Sequence, residues 1–289
     1  MRGMKLPRLA IFGHMQRQKV AEVMEKFRDF AQGKAEIVAS CGIEGCSADV
    51  LKNCDFAVVF GGDGSIISAA RNLSKAGIPL IGVNLGKLGF LAEFNVGELK
   101  KYFDDIARGK ATIEKRMMLS CKVFSDSKHS KERFGSSAVN DVFITTGPLH
   151  RMIELKMAVD DQPIAGCIGD GLIIATPTGS TAYNLSAGGP ILAGSMQAMV
   201  ITPICPHSLS FRPIVISADS TVEVFCVRVS SSTTISIDGQ DSLRLSVGDV
   251  VRVEREKSDF LVVNNPLRTR WDTLAAKLGW AETPKYERD

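Results

Sequence analysis

Five consecutive residues, Gly61, Gly62, Asp63, Gly64 and Ser65, place one carboxylate inside a run of glycines that follows the apolar segment Phe56 to Phe60. Glycines let backbone N–H groups approach phosphate oxygens closely, and a helix starting there favours negative charge at its N-terminus. A carboxylate in such a cradle repels phosphate unless it handles a metal or accepts a proton from an attacking hydroxyl. Phosphoryl transfer needs such a group to orient and deprotonate its nucleophile. The run is not Walker A, because no Gly-Lys-Ser/Thr follows, and it is not GxGxxG. Its plainer reading makes Asp63 an N-cap in a tight turn.

A longer run starts at Gly169, Asp170 and Gly171, passes through Ala175, and continues as Thr176-Pro177-Thr178-Gly179-Ser180-Thr181-Ala182-Tyr183-Asn184-Leu185-Ser186-Ala187-Gly188-Gly189-Pro190. Small residues, hydroxyls and one aromatic suit a surface where a flat ring lies against Tyr183. The alternative is a structural loop between strand and helix. Asn140 and Asp141 open a strand, where an amide and a carboxylate can bridge the vicinal hydroxyls of a ribose or simply start a turn. Arg151 pairs with phosphate or flanks a strand. Asp238, Gly239 and Gln240 read as a hairpin turn, and Leu88 to Leu91 as an apolar lip or ordinary core. The four histidines, His14, His129, His150 and His207, show no HExxH spacing, and no GxSxG occurs.

These residues need elements to hold them. Leu9 to Phe12, Phe56 to Phe60 and Pro79 to Val83 are short apolar runs. Between and after them, Val20 to Phe30, Ile66 to Leu73 and Val96 to Ile106 carry apolar residues at helical spacing. That alternation predicts an α/β domain with a parallel sheet over residues 1–115. From Leu119 the texture changes to short β-rich runs, the last at Phe260 to Val263, which predicts a larger all-β domain over 116–265. Ser125 to Gly135 reads as an exposed hairpin loop. Trp271, Leu274, Ala275 and Leu278 share one helical face, so a last helix within 266–289 is expected to pack back on the first domain.

The bulk composition narrows the partners. The net charge of +3 is spread over scattered Lys and Arg, with no basic face for nucleic acid. Seven cysteines without CxxC or zinc-ligand spacing read as reduced core thiols, and no metal ligand set is expected. With no signal-peptide h-region and no uninterrupted apolar stretch of about 18 residues, a soluble, cytoplasmic protein is expected, away from membranes.

The chain resembles the NAD kinases. The Gly-Gly-Asp-Gly-Ser loop, the Asn140-Asp141 pair and the Asp170 to Pro190 segment carry the resemblance, supported by Leu85 to Phe94 and Thr202 to Val215. It implies a two-domain enzyme that holds NAD in a cleft between the domains and phosphorylates the adenosine ribose. By that similarity Asp63 is the base, and Gly61, Gly62, Gly64 and Ser65 form the phosphate loop. Asn140 and Asp141 hold ribose hydroxyls, while Tyr183 with Thr181, Ala182 and Ser186 contacts the dinucleotide rings. Asp170 reaches polar groups at one end, and Arg151, the Cys205 backbone and Gln240 line the remaining wall. Gly64, Phe90, Asn184 and Leu185 complete the implied NAD-binding set. Ser65 stands where the family more often has Thr, and Asp141 is the shorter of the two acids the family allows.

The resemblance further implies ATP, another nucleotide or polyphosphate as donor, Mg²⁺ held mainly by the donor's phosphates, and a homo-oligomer, dimer or tetramer. Two alternatives remain at the level of sequence. One is a lipid kinase of the diacylglycerol or sphingosine type, against which the Thr178 to Tyr183 segment argues. The other is a non-catalytic dinucleotide sensor, which would not need Asp63.

Overall fold

A computed structural model describes residues 6–86, 89–147 and 152–279. It divides into two compact units. The first comprises the described residues through Glu114 and those from Leu261 on, and the second is Lys115–Phe260.

In the first unit strands and helices alternate as the two hydrophobic periods require: β1 (Arg8–Gly13), α1 (Gln18–Ala31), β2 (Glu36–Cys41), α2 (Ala48–Leu51), β3 (Phe56–Phe60), α3 (Asp63–Ala76), β4 (Leu80–Asn84), β5 (Phe94–Asn95), α4 (Val96–Ala107) and β6 (Ile113–Arg116). Helix α1 buries Val20, Met24, Phe27 and Ala31, one stripe at i, i+4, i+7 and i+11. Helix α4 begins in a capping box, with the Asn95 side chain accepting from the Glu98 N–H and the Glu98 carboxylate from the Asn95 N–H.

The second unit runs through β7 (Leu119–Phe124), β8 (Glu132–Ala138), β9 (Asp141–Thr145), β10 (Ile153–Val159), β11 (Gln162–Gly169), β12 (Gly171–Ala175), α5 (Tyr183–Ser186), β13 (Ala198–Ile204), β14 (Ile214–Ser217), β15 (Val222–Arg228), β16 (Thr234–Ile237), β17 (Asp241–Arg244) and β18 (Val250–Arg255). Its strands form two antiparallel sheets, ordered β11-β10-β15-β18-β7-β8 and β14-β13-β12-β9-β16-β17. Their facing sides share a core that includes Leu119, Cys121, Val123, Val142, Ile144, Leu172, Ile174, Val224 and Val253. Alternation decides the rest: in β9, Val142 and Ile144 enter that core, so Asp141, Phe143 and Thr145 face the other way.

β19 (Phe260–Val263) and α6 (Arg270–Leu278) return to the first unit. Its sheet runs β2-β1-β3-β4-β19-β6, with β5 also on β4. The β1–β2, β1–β3, β3–β4, β4–β5 and β4–β19 pairings are all parallel. From β1 the chain goes outward to β2 and comes back on the other side as β3. In such sheets ligands bind beyond the strand carboxyl ends at this switch point, and Gly61 directly follows β3.

Three expectations need correction. Phe260 to Val263 was expected among the strands of the β domain, but it pairs Val262 with Leu80 in the parallel sheet. A continuous apolar run suits a strand covered on both faces, which is what a parallel sheet offers. Ser125 to Gly135 is not all loop, because β8 starts at Glu132. The loop that remains is tied by Asp126, whose carboxylate accepts from the Lys128 and Ser130 N–H groups. Nor are all seven cysteines core thiols. Cys41 and Cys46 form a disulfide, their Cα atoms 5.7 Å apart across a turn containing Gly45 at φ 129°. Cys205 is an exposed thiol, and Cys121, Cys167 and Cys226 are buried. Burial pushes the Cys121 and Cys226 thiols up to about 12.

Helix α6 starts in a second capping box, Thr269 with Asp272. It buries Leu274, while Trp271 and Leu278 are 57% and 41% exposed, so its apolar face is narrower than the spacing implied. Polar contacts do more of the docking: Arg268 pairs with Glu98, Arg270 with Glu114, and the Lys277 ammonium lies over the Phe90 ring. Residues 280–289 of the expected helix lie outside the described residues. No described helix is long and apolar enough to cross a membrane.

Candidate functional site

In the first unit the glycine run makes the turn from β3 into α3. Gly62 is the N-cap, and Asp63 is the first helical residue, so Asp63 is not the cap. Gly61 packs against the Ser65 side chain, whereas nothing lies within 4 Å of where a Cβ would stand on Gly62 or Gly64. Those two positions leave open space beside a helix N-terminus.

The Asp63 carboxylate turns toward the segment after the two undescribed residues 87 and 88. Oδ2 accepts from the Phe90 N–H at 2.8 Å, and Oδ1 accepts from Leu91 at 3.0 Å and Ala92 at 3.2 Å. Gly89 packs so closely on this carboxylate that a Cβ there has no room. A carboxylate offers about four lone-pair positions, so three N–H donors leave one, on Oδ2, for a hydroxyl proton. Of the expected apolar lip, Leu91 is buried, Phe90 is half-buried under Lys277, and Leu88 lies outside the described residues.

In the second unit the Asn140-Asp141 pair and the Thr176 segment meet. The Thr176 hydroxyl donates to the Val139 carbonyl and its N–H to the Asn140 carbonyl, and Gly179 rests directly on the Asn140 backbone with no space for a side chain. Asp141 is 3% exposed. Burial, and then the neighbouring Asp238 charge, raise its carboxyl to about 7. Tyr183 is 38% exposed and meets Phe143 edge-on, ring centroids 5.2 Å apart. Its ring therefore stands over the middle of β9 on the face that carries Asp141. Thr181 and Leu185 are half-buried, Ala182 likewise, and Ser186 is exposed.

Two expected residues stand apart from this group, and one is outside the described residues. Asp170 and Cys205 lie at the opposite end of β12, where the Asp170 N–H donates to Ile204 and Gly169 packs on the Cys205 carbonyl. Ala175 pairs with Asp141 and Gly171 with Thr145, so the two groups are separated by the strand's length, about 14 Å at the usual rise. A ligand reaching both ends, with Tyr183 between them, must be elongated. Arg151 lies outside the described residues.

Asn184 is fully buried, its amide donating to Ser180 and Pro190 carbonyls and its carbonyl accepting from the Thr202 hydroxyl. That side chain ties the segment together rather than facing a ligand. Gln240 is exposed beside the β16–β17 turn, where its N–H donates to the Ile237 carbonyl. Sequence reasoning read Asp238 only as a turn residue and Thr176 only as part of the small-residue run, yet the Asp238 carboxylate accepts from the Val139, Asn140 and Asp141 N–H groups and the Thr176 hydroxyl donates to the Val139 carbonyl. Among the described residues no group of three or more His, Cys, Asp or Glu is placed to hold a metal ion.

Family models described as the ATP-NAD kinase N-terminal domain and the ATP-NAD kinase C-terminal domain match residues 13–111 and 139–265. The NAD kinase of Geotalea daltonii is 34% identical over 286 residues, 96% of this chain and all of that protein. That of Syntrophotalea carbinolica is 40% identical over 228 residues, 79% of each. Among solved structures, a yeast NADH kinase complexed with NADH superposes with TM-score 0.84 at 24% identity, over 98% of this chain and 90% of that one. An NAD kinase from Archaeoglobus fulgidus in complex with ATP gives 0.73 at 23% identity, over 93% and 97%. At those identities the two structures speak for the fold.

An α/β unit with a glycine-rich turn at its switch point, joined to an antiparallel β unit, and these matches together define a kinase. The chain belongs to the NAD kinase family. Membership does not favour the lipid-kinase or non-catalytic alternatives.

Proposed function

We propose that this enzyme transfers a phosphoryl group from ATP, or from another nucleotide or polyphosphate, to the 2′-hydroxyl of the adenosine ribose of NAD. The observation that carries the reading is Asp63: a carboxylate at the first turn of α3, beside open glycines, with one acceptor position left by its three N–H donors. In this reading Asp63 receives the ribose proton while the Gly61–Ser65 backbone faces phosphate. Asn140 and Asp141 hold ribose hydroxyls, Tyr183 supports a ring, and Asp170 with Cys205 faces the far end of the dinucleotide. The cation enters as part of the donor, as Mg²⁺ on the phosphates, since a hard ion needs few protein ligands there. The reading further has the enzyme working in the cytoplasm as a dimer or tetramer.

The test is NADP formation by the purified chain with ATP and Mg²⁺, run beside diacylglycerol and sphingosine as acceptors. NADP alone should form. Phosphorylated lipid without NADP would overturn the reading.

Tyr183→Ala should weaken NAD binding by roughly 0.5–1.5 kcal/mol, what an aromatic contact contributes beyond area burial. Tyr183 is already 38% exposed, so the fold should tolerate the change. Calorimetric affinity that stays at the wild-type value in a folded variant would move the ring pocket elsewhere.

A further inference from the structure

We infer that Asp238 is a positioning residue for the dinucleotide site, its carboxylate fixing the backbone that presents Asn140 and Asp141; the inference rests on the reading of that pair as the ribose holders. Asp238 and Gly239 occupy the turn between β16 and β17 with φ of 52° and 66°. A hairpin turn of this kind needs only residues that tolerate the left-handed region, and Asn serves at the first position as well as Asp. What Asn cannot do is accept hydrogen bonds on two oxygens. Here both are used: Oδ2 accepts from the Val139 N–H at 2.9 Å, and Oδ1 from Asn140 at 2.8 Å and Asp141 at 3.1 Å.

The opposite side of the same tripeptide is held as firmly. Val139 and Asn140 lie between β8 and β9. Their carbonyls accept from the Thr176 hydroxyl at 2.6 Å and the Thr176 N–H at 2.8 Å, and the Asp141 carbonyl accepts from the Asp238 N–H at 2.9 Å. Every backbone polar group from Val139 to Asp141 is thereby satisfied, by Asp238 or by Thr176. Gly179 closes the remaining side. The two side chains that reach for a ribose thus project from a backbone that cannot turn.

Stability alone does not favour this arrangement. It sets a second carboxylate near the buried Asp141, and that repulsion adds to the burial that raises the Asp141 carboxyl. What the carboxylate supplies against that repulsion is one rigid acceptor for three adjacent N–H groups.

The experiment compares full-length Asp238→Ala, Asp238→Asn and Gly239→Ala with the wild type. It measures NAD affinity by calorimetry, KM for ATP, melting temperature, and amide hydrogen exchange at residues 139–141. Asp238→Ala should weaken NAD binding ~10-fold or more and speed exchange at those three amides, because it leaves buried N–H groups without an acceptor. KM for ATP should stay within about twofold, since the phosphate loop keeps its own contacts. Asp238→Asn keeps one oxygen for Asn140 and Asp141 but turns N–H₂ toward the Val139 N–H, so its loss should be smaller. Gly239→Ala strains the same turn without removing the carboxylate. It should lower the melting temperature and leave NAD affinity unchanged.

NAD affinity that falls as far in Gly239→Ala as in the Asp238 variants would reduce Asp238 to a turn residue and overturn the inference. If the Ala variant does not fold, Asn against Gly239→Ala makes the same comparison. Wild-type NADP formation together with unaltered NAD binding in a folded Asp238 variant overturns the inference and leaves the kinase reading intact. A wild-type chain that binds no NAD overturns both.

Discussion

Asn in place of Asp63 is expected to lower kcat for NADP formation by about 10²–10⁴-fold, the range a general base contributes, or about 3–5 kcal/mol of barrier. The carboxylate is the one acidic group of the first turn of α3, and after serving Phe90, Leu91 and Ala92 it retains one acceptor position. An amide at that point offers a hydroxyl no base. The substitution does not act on the chemistry alone. With one oxygen it keeps Leu91 and Ala92 but faces the Phe90 N–H with N–H₂, at a cost of about 1–3 kcal/mol for the partly buried donor.

The two effects separate by measurement. Loosening of the Gly89–Ala92 segment should appear as a lower melting temperature and faster amide exchange at Phe90, and it should also appear in Asp63→Glu, which keeps a base but misplaces it. Loss of the base should appear in kcat at saturating NAD and ATP. Near wild-type turnover by a folded Asp63→Asn would remove Asp63 from the chemistry and leave it as the tie of the 90–92 segment.

The central strand Phe56 to Phe60 was legible in the sequence because it is a dense apolar run, and it appears in the structure with the bounds its residues imply. The strands that were missed stand mostly at sheet edges, namely β2, β6, β8, β11 and β17. An edge strand has one neighbour and much solvent. β11 can therefore be Gln-Pro-Ile-Ala-Gly-Cys-Ile-Gly, with six of its eight positions exposed, and carry no alternating signal. The site divides in the same way. Residues whose types announce chemistry, Asp63, Asn140, Asp141 and Tyr183, could be chosen from local sequence. Their supports could not, because Asp238 is 97 residues from Asp141 and Phe90 is 27 from Asp63. Asn184 shows the converse: a polar residue inside the most telling motif turns out to be buried and internally bonded. Only packing distinguishes such a residue from its ligand-facing neighbours.

Asp141 should give the stability of the enzyme a pH dependence opposite in sign to that of an ordinary paired carboxylate. Burial, with the Asp238 charge behind it, raises the Asp141 carboxyl from 3.8 to about 7 in the folded chain, while the unfolded chain returns it to the ordinary value. Between those limits the folded state holds a proton that the unfolded state has released, so stability falls as pH rises from about 4 to about 7 and levels off above. The full span corresponds to about 4 kcal/mol. Asp141→Asn keeps the shape without the ionisation, and its stability should lack this descent. Urea unfolding of both proteins at pH 4.5, 6 and 7.5 should therefore show wild type losing ground to the variant as pH rises. NAD acts against the same penalty: ribose hydroxyls donating to the ionised carboxylate favour the charged form, so NAD binding at pH 6 should release a proton from wild type and none from Asp141→Asn. Calorimetry in two buffers of different ionisation heat reads that proton. Parallel stability curves for the two proteins would mean that Asp141 is ionised in the folded enzyme throughout this range, and that its carboxylate is ready for ribose without titration.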